Sequence, residues 1–171
     1  MKNSVKVSFC GIVAALATAT MAASLIPNAT FAAPAIAGLF MIVAFAEAGA
    51  LPALAAYIAS AILSFFIADK SSWVLYLALF GYYPVLKPAL EKIKNGFLKW
   101  FLKLLIFNAA ALACYLTEIF VLGITVEPVL LLAAVWVTGN IAFVLYDIAV
   151  SRVAALYYVR LHKTVSSILN R

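Results

Sequence analysis

Residues 1–35 read "MKNSVKVSFCGIVAALATATMAASLIPNATFAAPA", and the fold class turns on them. A basic start, an apolar run and an A-x-A-like end also describe a secretory signal, whose apolar core is about 7–15 residues long. Here the run from Val5 to Ile26 covers 22 positions, interrupted by Lys6 near its start and otherwise only by small hydroxyl residues. A bilayer span needs about 20 apolar residues, so the stretch predicts a retained first membrane helix. More apolar segments follow it, as they would not follow a lone signal.

Composition agrees. Hydrophobic residues make up 68% of the 171 positions and charged ones 11%, against about 25% charged in an ordinary soluble domain. A chain this short cannot hide so much apolar surface from water, so its solvent is lipid. The length holds one integral-membrane domain, 1–171, with no appended soluble module. A net charge of +6 first suggests nucleic acid. The basic residues instead fall in short clusters beside apolar runs, the pattern of topology signals and anionic-lipid contacts. Cys10 and Cys114 lie in apolar runs without CxxC spacing and read as packing residues, not as a disulfide or metal site.

Six apolar segments are expected at 5–26, 34–48, 51–67, 73–91, 100–122 and 128–156. Loops or turns separate them at "PNATFAAP" (27–34), "EAGALP" (47–52), "ADKSS" (68–72), "EKIKNG" (91–96) and "GITVEP" (123–128). If both ends are cytoplasmic, eleven of the twelve basic residues fall inside: Lys2, Lys6, Lys87, Lys92, Lys94, Lys99, Lys103, Arg152, Arg160, Lys163 and Arg171. Lys70 alone falls outside. That asymmetry needs an even number of spans, so the expectation is an all-α, six-helix membrane bundle with both termini cytoplasmic.

"GYYPVLKP" at 81–88 breaks the apolar pattern with two prolines and a lysine. Within a continuous fourth span, Pro84 and Pro88 would each remove a backbone hydrogen bond and kink the helix. Such kinks need neighbours or water to satisfy the freed carbonyls. The alternative is a plain exit at the interface, with Tyr82, Tyr83 and Lys87 snorkelling.

Six polar residues fall in or at the ends of spans: Glu47, Lys87, Asn108, Glu118, Asn140 and Asp147. A charge at mid-membrane costs about 2.5–3.5 kcal/mol on insertion scales, so it pairs or faces a cavity. Lys87 and Asp147 match in depth and are expected to pair, with Lys103 and Arg152 as other partners for Asp147. Asn108 and Asn140 are either interhelical glue or groups facing a cavity; with Asn28 and Glu118 they become solute-binding candidates only through the resemblance given below. His162 reads as a solvated residue of the basic tail. There is no HExxH, GxSxG or Gly-rich phosphate loop; no catalytic residue, metal or cofactor is expected, and the chain reads as a non-enzyme.

The first helix carries small residues every fourth position, Gly11, Ala15, Ala19 and Ala23, beside a second row of Ala14, Thr18 and Ala22. Pro52, Ala56, Ser60 and Ser64 repeat the pattern on the third helix. Such rows let helices approach closely, either inside the monomer or against a partner.

"FCGIVAALATATMAASLIPNATFAAPAIAGLF", with the six-segment layout, resembles the substrate-binding S components of energy-coupling factor (ECF) transporters. "FGYYPVLKPALEK" and "LYDIAVSRVAALY" are similar to segments of six-helix bacterial membrane proteins of this layout. The resemblance spans the whole chain in pattern, without a diagnostic motif. It implies an importer subunit capturing a vitamin-like solute outside, with a transmembrane coupling subunit and two cytoplasmic ATPases as partners. Ala15, Ala19 and Ala23 would then form the docking face, and a long loop after the first helix would close over the solute. The outer half is poor in polar residues, with only Asn28 and Thr30 offering side-chain hydrogen bonds in that loop, which points to an apolar solute. A second layout is similar too: that of MreD, the cell-shape protein, which implies a membrane scaffold for envelope assembly that transports nothing.

Overall fold

The computed structural model describes residues 3–120, 123 and 128–169. Lys2, Arg171 and the 124–127 part of the expected outer loop lie outside these residues. Every regular element described is helical. Four helices are long and apolar enough to cross a bilayer, Ser4–Leu25, Ala50–Ile67, Gly96–Phe120 and Val129–Arg160, while the apolar Ala32–Ala48 is shorter. Large aliphatic side chains such as Leu51, Val129, Leu130 and Val159 lie on the surface. A surface of that kind suits lipid, and the chain is a membrane protein.

Helix α1 (Asn3–Ala22) ends in a 3-10 turn, Ala23–Leu25. Helix α2 (Ala32–Ala48) begins earlier than expected, because Pro34 fits its first turn, where a missing N–H costs nothing. The expected long loop therefore shrinks to residues 26–31. Gly49 alone links α2 to α3 (Ala50–Ile67); its φ of 93° and ψ of −179° suit glycine only.

The fourth segment corrects the expectation of one kinked helix over 73–91. It is built from α4 (Lys70–Leu75), a π-helical turn at Tyr76–Phe80, and α5 (Tyr83–Glu91). Asp69 caps α4, its carboxylate accepting from the Ser72 N–H at 3.2 Å. The Gly81 N–H reaches back to the Tyr76 carbonyl at 2.9 Å, which leaves the Leu77 carbonyl without its usual partner. The Tyr57 hydroxyl donates to that carbonyl at 2.6 Å. The break falls at Gly81–Tyr82, before the prolines, so Pro84 sits in the first turn of α5 and only Pro88 lies in a helix interior. Pro84 also deprives the Phe80 carbonyl of a donor, and the Tyr146 hydroxyl supplies one at 3.3 Å.

Helix α6 (Gly96–Phe120) starts earlier than expected, with the Asn95 side chain accepting from the N–H groups of Phe97 and Leu98. Helix α7 (Val129–Arg160) runs further, for 32 residues or about 48 Å at 1.5 Å per residue. Leu161 then turns the chain into α8 (His162–Leu169).

Helix α2 stands at the centre. One core joins it to α1 and α3 through Val13, Ala17, Met21, Met41, Ala53 and Ala56. A second lies between α2 and α5–α7, built from Ile42, Tyr83, Phe107, Phe143, Tyr146 and Val150. Two ends are thereby defined. At one, the Asp69 N–H donates to Ser24 Oγ at 3.0 Å, joining the ends of α1 and α3. Glu47, Glu91, Tyr157 and His162 gather at the other, and the site lies there.

Candidate functional site: a buried charge cluster

Three helices bring charges inward on buried stripes of helical period. On α7 the stripe is Phe143, Tyr146, Asp147 and Val150; on α5 it is Tyr83, Lys87 and Leu90; on α6 it is Lys103, Phe107, Ala110 and Cys114. Asp147, Lys87 and Lys103 are 4%, 5% and 1% exposed, so water solvates none of them. Their partners must do so instead.

Asp147 Oδ1 accepts from Lys87 Nζ at 2.5 Å and from the Tyr83 hydroxyl at 2.5 Å. Lys103 Nζ donates to both carboxylate oxygens, at 3.1 and 3.0 Å. Lys87 also donates to the Asp147 backbone carbonyl. One aspartate thus holds two lysines, and Glu91 restores the balance: it takes Lys103 at 2.5 Å and Lys99 at 3.0 Å. Lys103 also lies 4.9 Å from the centre of the Trp100 ring. Among the three buried charges and Glu91, two are positive and two negative. Neutrality together with a hydrogen-bonded partner for every charge is what makes such burial tolerable.

A second buried acid lies at the same end. The side chain of Glu47 is 3% exposed and accepts from the Tyr157 hydroxyl at 2.6 Å, with His162 Nδ1 at 2.8 Å. His162 is therefore not merely a solvated tail residue. It ties α8 to the end of α2, with the half-exposed ring of Tyr158 packed 5.3 Å away. Sequence reasoning missed this contact because 115 positions separate the partners. The one available signal was Glu47 itself, an acid ending an apolar helix.

The four solute-binding candidates do not converge. Asn28 lies exposed in the α1–α2 loop with φ 70°, a left-handed turn conformation that asparagine tolerates. Glu118 is half-buried on the last turn of α6. Asn108 and Asn140 meet, Nδ2 of the first donating to Oδ1 of the second at 2.9 Å. Trp136 Nε1 donates to Asn108 Oδ1 at 2.6 Å, and the carbonyls of Leu104 and Trp136 take further amide donors. Both amides have their N–H donors taken by neighbours, and together they hold α6 to α7.

The small-residue rows divide. Ala14 packs inside the bundle, as do Ala56, Ser60 and Ser64 of α3. Gly11, Ala15 and Ala19 are exposed and Ala23 is half-buried, and nothing lies within 4 Å of where a Gly11 side chain would begin. Among the described residues, no group of three His, Cys, Asp or Glu side chains gathers as metal ligands would.

Scans of protein-family models, curated proteins and solved structures return no match to this chain.

Proposed function

We propose that this chain is a non-enzymatic, six-span protein of the cytoplasmic membrane, with both termini inside. On this reading it captures a small, largely apolar or vitamin-like solute as the S-type subunit of an ECF-like importer. Counting α4–α5 as one broken span gives six crossings. Support for the orientation comes from the end that carries Glu47, Glu91 and His162, which also carries Lys92, Lys94, Lys99 and Arg160, as the positive-inside rule expects of a cytoplasmic face.

The uncovered Gly11–Ala15–Ala19 row carries the reading. In lipid, close van der Waals approach is the main attraction between helices, and a smooth face invites one. A transmembrane coupling subunit, itself bound to cytoplasmic ATPases, is the partner this implies. The test is Ala15→Leu and Ala19→Leu in tagged protein purified from native membranes. Both variants should melt like the parent as isolated subunits yet lose the coupling subunit and ATPases. If both instead melt lower alone, the row is internal packing and the reading fails.

One observation favours a second reading, an MreD-like scaffold that transports nothing. Asn28, Asn108, Glu118 and Asn140 do not form a common pocket, and two of them bind each other. Mass spectrometry of gently solubilised protein separates the readings, since a capture subunit carries a small molecule and a scaffold does not.

A further inference from the structure

Helix α6 carries a second stripe besides the one that holds Lys103. Leu98, Phe101, Leu105, Asn108 and Leu112 follow one another at steps of three, four, three and four residues. On a helix of about 3.6 residues per turn they share one face, and it lies opposite the buried stripe of Lys103, Phe107, Ala110 and Cys114. The four apolar members are exposed. Most of the stripe, with Leu104 and Ala109 beside it, walls a groove of about 560 Å³ whose facing wall is Trp136 of α7.

Lipid alone suits the leucines and the phenylalanine, but not Asn108. It is the middle residue of α6, twelve positions from Gly96 and twelve from Phe120, which places it at mid-membrane. Its hydrogen bonds go to Leu104, Trp136 and Asn140, yet Asn108, Trp136 and Asn140 all remain half-buried. Two amides and an indole thus border hydrocarbon at the depth where polar surface is least tolerated. Among the described residues, Asn140 Oδ1 takes one donor, from Asn108, and an amide oxygen has two lone pairs. A single asparagine in an apolar seam of alternating three- and four-residue steps is a device by which paired helices fix their register and number.

Depth selects the occupant. A two-fold axis along the membrane normal sets each residue against the same residue of the other copy, at the same depth. A second copy of this chain therefore brings amide to amide at mid-membrane, whereas a lipid tail brings no polar group there. We propose that the chain forms a homodimer through α6, its stripe packed on the same stripe of the second copy. The two helices cross at about 20°, the angle that a seam of this spacing favours. The paired Asn108–Trp136–Asn140 clusters then close on each other at the centre of the interface and leave the hydrocarbon. Helix α1 packs on α2 and α3, away from this face, so the dimer stands whether or not the Gly11–Ala15–Ala19 row docks a coupling subunit.

The test starts from protein with Cys10 and Cys114 replaced by alanine, oxidised in native membranes and read on non-reducing gels. Leu105→Cys and Leu112→Cys should each trap a disulfide-linked dimer. Ile62→Cys, no less exposed but on α3, should trap none. Native mass spectrometry of the parent in maltoside micelles should show twice the chain mass, and the double variant Leu105→Ala, Leu112→Ala should lose that species. Both leucines are exposed in the single chain, so this variant should keep the parent's helical circular dichroism while running as a monomer. A parent that is monomeric at every concentration, with or without lipid bound, overturns the inference. So does a dimer that survives the double variant, which would place the contact elsewhere. Cross-linking of Ile62→Cys as strong as that of Leu105→Cys overturns it too, because it marks random collision.

Discussion

Asp147 is the residue on which most of the buried charge depends. Neutralising it strands two lysines, each of which loses its carboxylate, although Lys103 keeps Glu91. Removing Lys87 strands nothing, since Asp147 keeps Lys103 and the Tyr83 hydroxyl. The two single variants should therefore differ. Asp147→Asn is expected to cost about 3–5 kcal/mol, the range for breaking a buried pair. Lys87→Met should cost about 1–3 kcal/mol, the range for one lost charged hydrogen bond. The double variant should recover part of the loss, because one of the lysines that Asp147→Asn strands is then gone. Reversible unfolding in mixed micelles measures all three, and equal or strictly additive losses would refute the shared-aspartate arrangement. The Lys87–Asp147 contact was legible from matching depth along two expected helices. Lys103 was legible only as one of several partners, because depth alone does not say which way a helix is rotated. The role of the Tyr83 hydroxyl was hidden, since a tyrosine near an interface reads equally well as part of an aromatic belt.

At the level of elements, the broken fourth segment shows how a membrane chain tolerates a backbone fault. Unsatisfied carbonyls in lipid cost several kcal/mol each, so the fold assigns them tyrosines. Tyr57 serves Leu77 and Tyr146 serves Phe80. Helix α2 passes close by, since a side chain at Gly38 would collide with the Phe80 carbonyl and the Tyr146 hydroxyl. Tyr146→Phe should accordingly destabilise by about 1–3 kcal/mol by orphaning a buried acceptor. Pro84→Ala restores the backbone N–H that Phe80 lacks, so adding it to Tyr146→Phe should return much of the loss. Thermal unfolding of the four proteins checks this; an unchanged loss in the double variant would mean that the carbonyl is satisfied some other way. Gly38→Ala is expected to cost about 1–3 kcal/mol by overpacking at the same crossing. The sequence showed that the segment was interrupted but placed the fault at the prolines. Proline is tolerated at a helix start, so the chain breaks one turn earlier, at a glycine.

For the whole molecule, the all-helical membrane class and the rough bounds of the long apolar segments were readable because long apolar runs allow little else, whereas the division of the fourth segment and the added α8 were not. The pairing of distant polar residues was not, as with Glu47 and His162, because an apolar sequence carries almost no register information in its periodicity. Orientation in the membrane rests on charge asymmetry, and the geometry makes it testable. The turn at Asn28 and the start of α4 at Ser71 belong to the end where Ser24 meets Asp69, while Asn95 caps α6 at the end with Glu91 and Lys99. With the buried Cys10 and Cys114 replaced by alanine, single cysteines at these positions report their side of the bilayer. Asn28→Cys and Ser71→Cys should react with a membrane-impermeant maleimide in intact cells, and Asn95→Cys only after permeabilisation. Asn95 is exposed, so failure of its cysteine to react in intact cells reflects the membrane and not burial in the bundle. Labelling of Asn95→Cys in intact cells would invert the topology, and with it the cytoplasmic position given to the charge cluster.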